Sequence, residues 1–231
     1  MNTWRTKAIV VLFAVFVLNS AGYASSVKHD AGDKSWKFRV LLDDTPIGYH
    51  QVSVNTENNR KTVHTQASFD VRFLFIPVYS YNHETRESWK DGCLVNINST
   101  TDDNGDNFFI SSTEDNRALT IETREGKSSI DGCVRTFAYW DIELLRSGRL
   151  LNTQTGEYQQ VSIEDLGTGN LDIDDQALEA RHFRLSVEGM NIDLWYTSDM
   201  HWLALESTTE SGAVLRYLPD QPGAVVKESR S

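Results

Sequence analysis

The chain has 231 residues, in which 22 lysine and arginine side chains face 33 aspartate and glutamate side chains, giving a formal net charge of −11 at pH 7. Such an acidic surface repels the phosphates of nucleic acids and of anionic lipids, which argues against nucleic acid binding and against docking through a basic patch. The length suits one all-β domain, and no linker rich in Pro, Gly or Ser divides it.

The first 24 residues have the three zones of an export signal. Arg5 and Lys7 precede an apolar run of 11 residues, residues 8–18, which is too short to cross a bilayer and fits the apolar core of a signal peptide. Small residues then occupy Gly22 and Ala24, so we place cleavage after Ala24, with an uncleaved anchor as the alternative. The mature chain is predicted to be periplasmic or secreted, with no transmembrane segment.

Residues 25–34 are predicted to be a flexible segment, residues 35–219 the antiparallel β domain, and residues 220–231 a flexible tail. Apolar side chains alternate from residue 36 to residue 42, which is the period of a strand. A turn at residues 43–46 leads to a second strand at 47–54. Residues 63–76 and 78–90 are predicted to form the next two strands, with Pro77 marking an edge or a bulge.

Turn dipeptides that end in glycine recur through the rest of the chain, including Asp91-Gly92, Asn104-Gly105 and Glu188-Gly189. The fold class is therefore all-β: a single curved antiparallel sheet or half-open barrel of about eleven strands. Residues 139–151 break the alternation with helical spacing, and Asp141 and Gly148 suit the ends of a helix. We predict one short helix that plugs or covers one end of the β structure.

The chain has two cysteines, Cys93 and Cys133. In an exported protein an even number of cysteines favours a disulfide, and two buried free thiols are the alternative. Zinc needs more ligands than this pair supplies, and the oxygen ligands of residues 102–106 have the wrong spacing for a calcium loop. The sequence predicts no metal and no cofactor.

The sequence contains no Gly-x-Ser-x-Gly motif, no His-Glu-x-x-His motif and no glycine-rich phosphate loop, which favours a non-enzymatic protein. The nearest approach to a catalytic set is His83 with Glu87, which share one face of a strand, whereas Glu84 lies on the other. An acid–base pair is one interpretation, and a polar pair on a solvated face is the other.

Aromatic residues are concentrated between residues 69 and 81, where their alternation is consistent with one concave face. They are either core residues or the lining of an apolar cavity. As candidate ligand-binding residues we name Phe73, Phe75, Phe137 and Trp140.

Four segments carry a family resemblance: residues 36–50 (WKFRVLLDDTPIGYH), 81–108 (beginning YNHETRESWKDGC), 137–158 (FAYWDIELLRSGRLLNTQTGEY) and 192–218 (beginning IDLWYTSDMHWL). Together they resemble DUF6134, a bacterial exported family of unknown function. The C-terminal pattern is also similar to the DUF3108 group and, more distantly, to periplasmic β folds of the LolA type. The resemblance implies a curved antiparallel β fold in the cell envelope and assigns no catalytic residue.

Three functions are consistent with these features. The leading hypothesis is an exported envelope protein that binds a lipid or another apolar small molecule in a concave β face. The alternatives are a structural or interaction module with an envelope protein as its partner, and an unrecognised hydrolase that uses His83 and Glu87.

Overall fold

The computed structural model describes residues 32–115, 118–209 and 211–220, so the predicted signal peptide lies outside the described residues. It contains fifteen strands and one 3-10 helix, Ile142–Arg146. In chain order the strands are β1 (Lys34–Leu42), β2 (Thr45–Glu57), β3 (Arg60–Phe73), β4 (Ile76–Lys90), β5 (Cys93–Asp103), β6 (Asp106–Asp115), β7 (Ala118–Thr123), β8 (Gly126–Asp131), β9 (Arg149–Leu151), β10 (Tyr158–Gln160), β11 (Ser162–Ile173), β12 (Gln176–Val187), β13 (Met190–Tyr196), β14 (Trp202–Thr208) and β15 (Val214–Pro219). In these three described ranges no helix is long and apolar enough to cross a membrane.

Thirteen of the strands form one antiparallel sheet in the order β11-β12-β13-β14-β15-β1-β2-β3-β4-β5-β6-β7-β8, and β9 pairs with β10. The predicted single antiparallel sheet is confirmed, and it is open because its edge strands β8 and β11 do not pair with each other. The prediction of about eleven strands was too low. Strands such as β8 and β11 expose most of their side chains, so the apolar alternation that marks a strand is weak in them.

The turn between β3 and β4 lies two to three residues earlier than the sequence predicts. Its two turn residues are Leu74 and Phe75, and β4 begins at Ile76. Pro77 lies within β4, opposite Arg72, beside a shift of register between Val71 and Arg72. Of the two predicted interpretations of Pro77, an edge or a bulge, the structure shows a bulge, whereas the strand boundary differs from the prediction.

The first and last strands of the chain lie side by side in the middle of the sheet, where β15 pairs with β1. This pairing extends to Asp220, whose backbone N–H donates to the Lys37 carbonyl oxygen at 2.9 Å and whose carboxylate lies 3.0 Å from the Lys37 ammonium. The strands among the described residues therefore run from Lys34 to Pro219, and Asp220 continues the contact with Lys37.

One face of the sheet, the inner face, carries the main core. Residues 132–161, which we call the plug segment, pack against that face and contain the 3-10 helix. The inner face and the plug segment both contribute buried side chains to one apolar cluster. The sheet supplies Phe38, Val52, Val63 and Trp89. The plug segment supplies Val134, Leu144, Leu150 and Leu151. The predicted short helix thus packs against the sheet, and its covering of one end of the β structure stays a prediction.

The helix begins where the sequence predicts. The Asp141 carboxylate accepts a hydrogen bond from the Glu143 backbone N–H at 3.4 Å, which caps the first turn. The helix ends before Gly148, and Leu144 is its fully buried residue. It holds the plug segment in place by burying one apolar side chain under the sheet.

Cys93 and Cys133 form a disulfide with a Cα–Cα distance of 5.0 Å, which the even number of cysteines favoured. The bridge joins the start of β5 to the start of the plug segment. Next to it, the Leu94 N–H donates to the Val134 carbonyl oxygen at 2.9 Å. The disulfide therefore anchors the plug segment to the sheet.

Candidate functional site

Five aromatic side chains line the inner face beside residues 153–154 of the plug segment. We call His50, Phe69, Tyr81, His83 and Tyr217 the inner ring cluster. Consecutive ring centroids are close: 5.2 Å for His50 and Tyr217, 6.1 Å for Tyr217 and Phe69, 5.2 Å for Phe69 and Tyr81, and 6.1 Å for Tyr81 and His83. Phe69 is buried and the other four are half-buried, so the cluster forms a partly open aromatic surface.

Strand register assembles this cluster from four strands. Phe69 of β3 lies opposite Tyr81 of β4, so their side chains share the inner face. The same rule places His50 opposite the core residue Phe38, and Tyr217 of β15 opposite Val40. The residues come from distant parts of the chain, and the pairing of β15 with β1 brings them together.

His50 has a buried hydrogen-bonding atom that is not satisfied. Its Nδ1 is inaccessible to solvent and has no hydrogen-bond partner among the described residues. The rings of Phe38, Trp202 and Tyr217 surround the imidazole, with centroid distances of 6.3, 5.9 and 5.2 Å. Burial, together with the charge of His83, lowers the pKa of His50 to about 3, so this imidazole is neutral at physiological pH.

His83 differs from His50 because its nitrogens have partners. Its Nδ1 lies 2.7 Å from the Thr101 hydroxyl oxygen, and its Nε2 lies 2.7 Å from that of Thr85. The Thr153 hydroxyl of the plug segment is 3.4 Å from the same Nε2. Burial lowers the pKa of His83 to about 4, so this ring is also neutral.

The tyrosines of this region are held as neutral phenols. Tyr79 donates to the Asp103 carboxylate at 2.8 Å, and Tyr81 donates to the side-chain Oε1 of Gln154 at 3.1 Å. The Gln154 amide in turn donates to Asp103 at 3.0 Å. Burial raises the pKa of Tyr79, Tyr81 and Tyr217 above the usual tyrosine value. The cluster therefore offers neutral donors and acceptors.

Apolar side chains continue this surface toward the turn of β3 and β4. Val40 and Ile47 are buried beneath it, whereas Leu42, Val71 and Leu215 pack against them and stay partly exposed. The site thus has a neutral polar part at His50 and His83 and an apolar part at Val71, which is an amphipathic arrangement.

The four predicted ligand-binding residues do not come together. Phe75 is 94% exposed in the turn, and the side chain of Phe73 lies outside the described residues. Phe137 and Trp140 belong to the plug segment, and Trp140 packs at the other end of β3, with the Lys61 ammonium 4.9 Å from its ring centroid. From Lys61 to Phe73 a strand extends roughly 40 Å. Sequence spacing could not show this separation.

The inner ring cluster was only partly visible in the sequence. Phe69 and Tyr81 belong to the aromatic stretch that the alternation marks, and His83 was noticed as a candidate base. His50 and Tyr217 were missed as site residues. A signal for His50 existed: it shares the parity of Val52 and Val54, so a polar ring stands where the pattern requires an apolar side chain.

His83 and Glu87 share the inner face, as predicted, but they do not form a pair. Strand geometry separates residues four apart by roughly 13 Å, and Thr85 lies between them. Glu87 is buried and accepts a hydrogen bond from the Trp89 indole N–H at 2.8 Å. Burial raises the pKa of Glu87 to about 7, against the hydrogen bonds from Trp89 and Thr136. Each residue is thus bound to its own partners.

The outer face carries a groove of about 560 Å³ between Tyr49, Ser68, Asn82, Asp102 and Phe109. Its side chains are mainly polar, and Glu84 on its wall is hydrogen-bonded to His64 at 2.8 Å. In the parts of the chain that the structure describes, no group of three His, Cys, Asp or Glu side chains is arranged to hold a metal ion.

Both the sequence and the fold of this chain have known relatives. The model of DUF6134, a domain of unknown function, matches residues 38–220. A search of curated proteins found no match. Among solved structures, a β-barrel-like protein of DUF1849 from Brucella abortus is similar, with a TM-score of 0.53 and 8% identity over 81% of this chain and 95% of that one. That likeness supports the fold alone. Because the family model covers most of its length, the chain belongs to the DUF6134 family.

Proposed function

We propose that this protein is exported to the cell envelope and binds a neutral amphipathic ligand, such as a lipid with an uncharged polar head, on the inner face of its sheet. The polar head binds at His50, and the apolar part lies along Leu42, Val71 and Leu215. The pattern of residues 1–24, a basic start, an apolar run and small residues, is typical of an export signal and supports the proposed compartment. The observation that carries the ligand site is the unsatisfied Nδ1 of His50.

A buried polar atom without a partner costs about 1–3 kcal/mol, and native proteins keep few of them. The His50 ring is half-buried in the partly open inner ring cluster, so a shift of the rings around it admits a ligand hydroxyl, amide or ester group, which supplies the missing hydrogen bond to Nδ1. A ligand that satisfies Nδ1 therefore recovers a free energy that the unliganded protein loses.

The charge state of the site selects the head group. Both histidines are neutral because burial lowers their pKa values, and the phenols are neutral because burial raises theirs. The inner ring cluster contains neither lysine nor arginine among its five residues, and the carboxylate of Asp103 lies beside Tyr79. An anion therefore pays a desolvation cost here, so we expect a neutral head to bind better than a carboxylate or phosphate.

The first test uses N-phenyl-1-naphthylamine, a neutral fluorescent apolar compound. We expect saturable binding to the wild type and loss of binding in Val71→Lys, because a charged side chain enters the apolar part of the site. Asp70→Lys places the same side chain on the outer face of the same strand and is the matched control. Non-saturable fluorescence, or equal binding by both variants, would count against the site.

The second test examines the polar head through His50→Phe, which keeps a ring of similar size and removes both nitrogens. Monododecanoylglycerol is expected to displace the fluorescent compound from the wild type better than dodecanoate does. In the variant, the affinity for monododecanoylglycerol should fall about fivefold to tenfold, the value of one hydrogen bond, while N-phenyl-1-naphthylamine binds as before. An unchanged displacement curve would remove His50 from the proposed site.

A further inference from the structure

A second surface stands out at the turn between β3 and β4. We propose that this turn and its flanks, residues 74–78, insert into the interface of an electrically neutral lipid bilayer. We call residues 74–78 the apolar tip. The inference is independent of any ligand on the inner face and concerns how the protein approaches a membrane.

The tip is apolar and exposed. Leu74, Phe75, Ile76 and Val78 are 74%, 94%, 64% and 52% exposed, and Pro77 is exposed as well. Scattered single apolar residues on a surface are ordinary, but five consecutive ones at the end of a hairpin form a continuous patch, and such patches mark binding surfaces.

The turn itself contains residues that disfavour its backbone conformation. Seven hairpins in the described ranges have both turn residues at positive φ, which glycine, asparagine and aspartate adopt most easily. Six of them use such residues or glutamate: Asp43-Asp44, Asn58-Asn59, Asp91-Gly92, Asn104-Gly105, Asp174-Asp175 and Glu188-Gly189. The seventh places Leu74 at φ 48° and Phe75 at φ 70°. Folding alone therefore does not explain an apolar pair at this turn.

The arrangement of the side chains favours lipid over a protein partner. Ile76 and Pro77 are adjacent in a strand, so their side chains point to opposite faces of the hairpin, and both are exposed. Leu74 and Phe75 occupy its end. A protein surface covers one side of such a hairpin, whereas a bilayer surrounds it on all sides.

The expected strength and lipid preference follow from composition. The four side chains of Leu74, Phe75, Ile76 and Val78 hold about 18 carbon atoms, comparable to one acyl anchor, which gives reversible binding with an association constant of about 10⁴ M⁻¹. The excess of 33 acidic over 22 basic residues opposes anionic lipids. We therefore expect binding to phosphatidylcholine vesicles that is half complete near 0.1 mM accessible lipid, and weaker binding when anionic lipid is added.

The test compares vesicle co-sedimentation of the wild type with the double variant Leu74→Asn, Phe75→Gly. This variant installs the preferred turn dipeptide, so we expect it to fold at least as well as the wild type while its vesicle affinity falls at least about 100-fold. Met190→Asn removes an apolar side chain that is 46% exposed at another hairpin, and it should bind vesicles as the wild type does. All three proteins share the same N-terminal segment, so their differences report the tip.

A fluorescent label locates the inserted part. Both native cysteines are in the disulfide, so Phe75→Cys and Asn58→Cys each add one free thiol, at opposite ends of β3. With a nitrobenzoxadiazole label, position 75 is expected to shift to shorter wavelength on vesicle addition, and position 58 is not. Wild-type vesicle binding by the double variant, or no shift at position 75, would overturn the proposal. So would a wild type that self-associates through the tip in solution and leaves vesicles unbound.

Discussion

Replacing both cysteines by serine is expected to lower the free energy of unfolding by about 4 kcal/mol. The bridge from Cys93 to Cys133 closes a loop with a sequence separation of 40. On the chain-entropy model, a cross-link of this length lowers the conformational entropy of the unfolded chain by an amount equivalent to that free energy. The hydrogen bond from Leu94 to Val134 joins the same two segments beside the bridge, and we expect it to persist in the variant. The loss therefore arises mainly in the unfolded state.

Urea unfolding of the wild type and of Cys93→Ser, Cys133→Ser, followed by tryptophan fluorescence, measures this effect. Adding a reducing agent to the wild type should lower its midpoint to that of the variant, and adding it to the variant should change nothing. A difference below about 1 kcal/mol would mean that the unfolded chain is already restricted without the bridge.

Glu87→Gln is expected to make the protein more stable at pH 8 and to leave its stability almost unchanged at pH 4.5. The folded pKa of Glu87, about 7, lies above the ordinary value of 4.5. The raised pKa therefore stabilises the folded state by its full amount below pH 4.5, where Glu87 is protonated in both states. This stabilisation is lost as the pH rises through 7, because the folded state must then hold a buried charge. A shift of this size corresponds to about 3 kcal/mol. Glutamine keeps an acceptor for the Trp89 indole and never ionises.

The two buried histidines act in the opposite direction. Their folded pKa values, about 3 for His50 and about 4 for His83, lie below 6.5. Their contribution is therefore complete above pH 6.5 and is lost on acidification, while Glu87 offsets part of that loss in the wild type. The variant should consequently show a steeper decline of stability from pH 6.5 to pH 4.5.

Denaturant midpoints between pH 4.5 and pH 8.5 test this expectation. Glu84→Gln is the matched control because Glu84 lies on the outer face of the same strand, and hydrogen bonding to His64 lowers its pKa. That variant should lose a little stability at high pH, the reverse of Glu87→Gln. A wild-type profile that stays flat from pH 5 to pH 8, with no gain in Glu87→Gln, would show that Glu87 is solvated in the folded protein.

Local patterns in this chain carry much of its secondary structure. Alternation between residues 36 and 42 predicts the strand that buries Phe38 and Val40, and Asp141 with Gly148 delimits the short helix. The bulge at Pro77 and the pairing of Cys93 with Cys133 also followed from the sequence. The strands, the helix and the bulge depend on residues near each other in the chain. The disulfide was predictable because each cysteine has one possible partner.

The boundary of the β3–β4 hairpin shows where such reasoning ends. Positive φ at Leu74 and Phe75 contradicts the usual preference of bulky residues, so a turn rule places the turn elsewhere. The pairing of the flanking strands outweighs that local preference. Likewise β8 was hard to recognise, because an exposed edge strand needs no apolar alternation.

By itself the sequence predicted an antiparallel β domain with one short helix and favoured one disulfide, since strand period, turn residues and cysteine count are local or compositional properties. That the sheet stays open was decided by the tertiary structure. Only the tertiary structure decided which polar residues meet on the inner face. His50 and Tyr217 are 167 positions apart, and the ring contact between them exists because β15 pairs with β1 next to β2. Strand order and register are set by the packing of the whole sheet around the plug segment, and no local pattern encodes them.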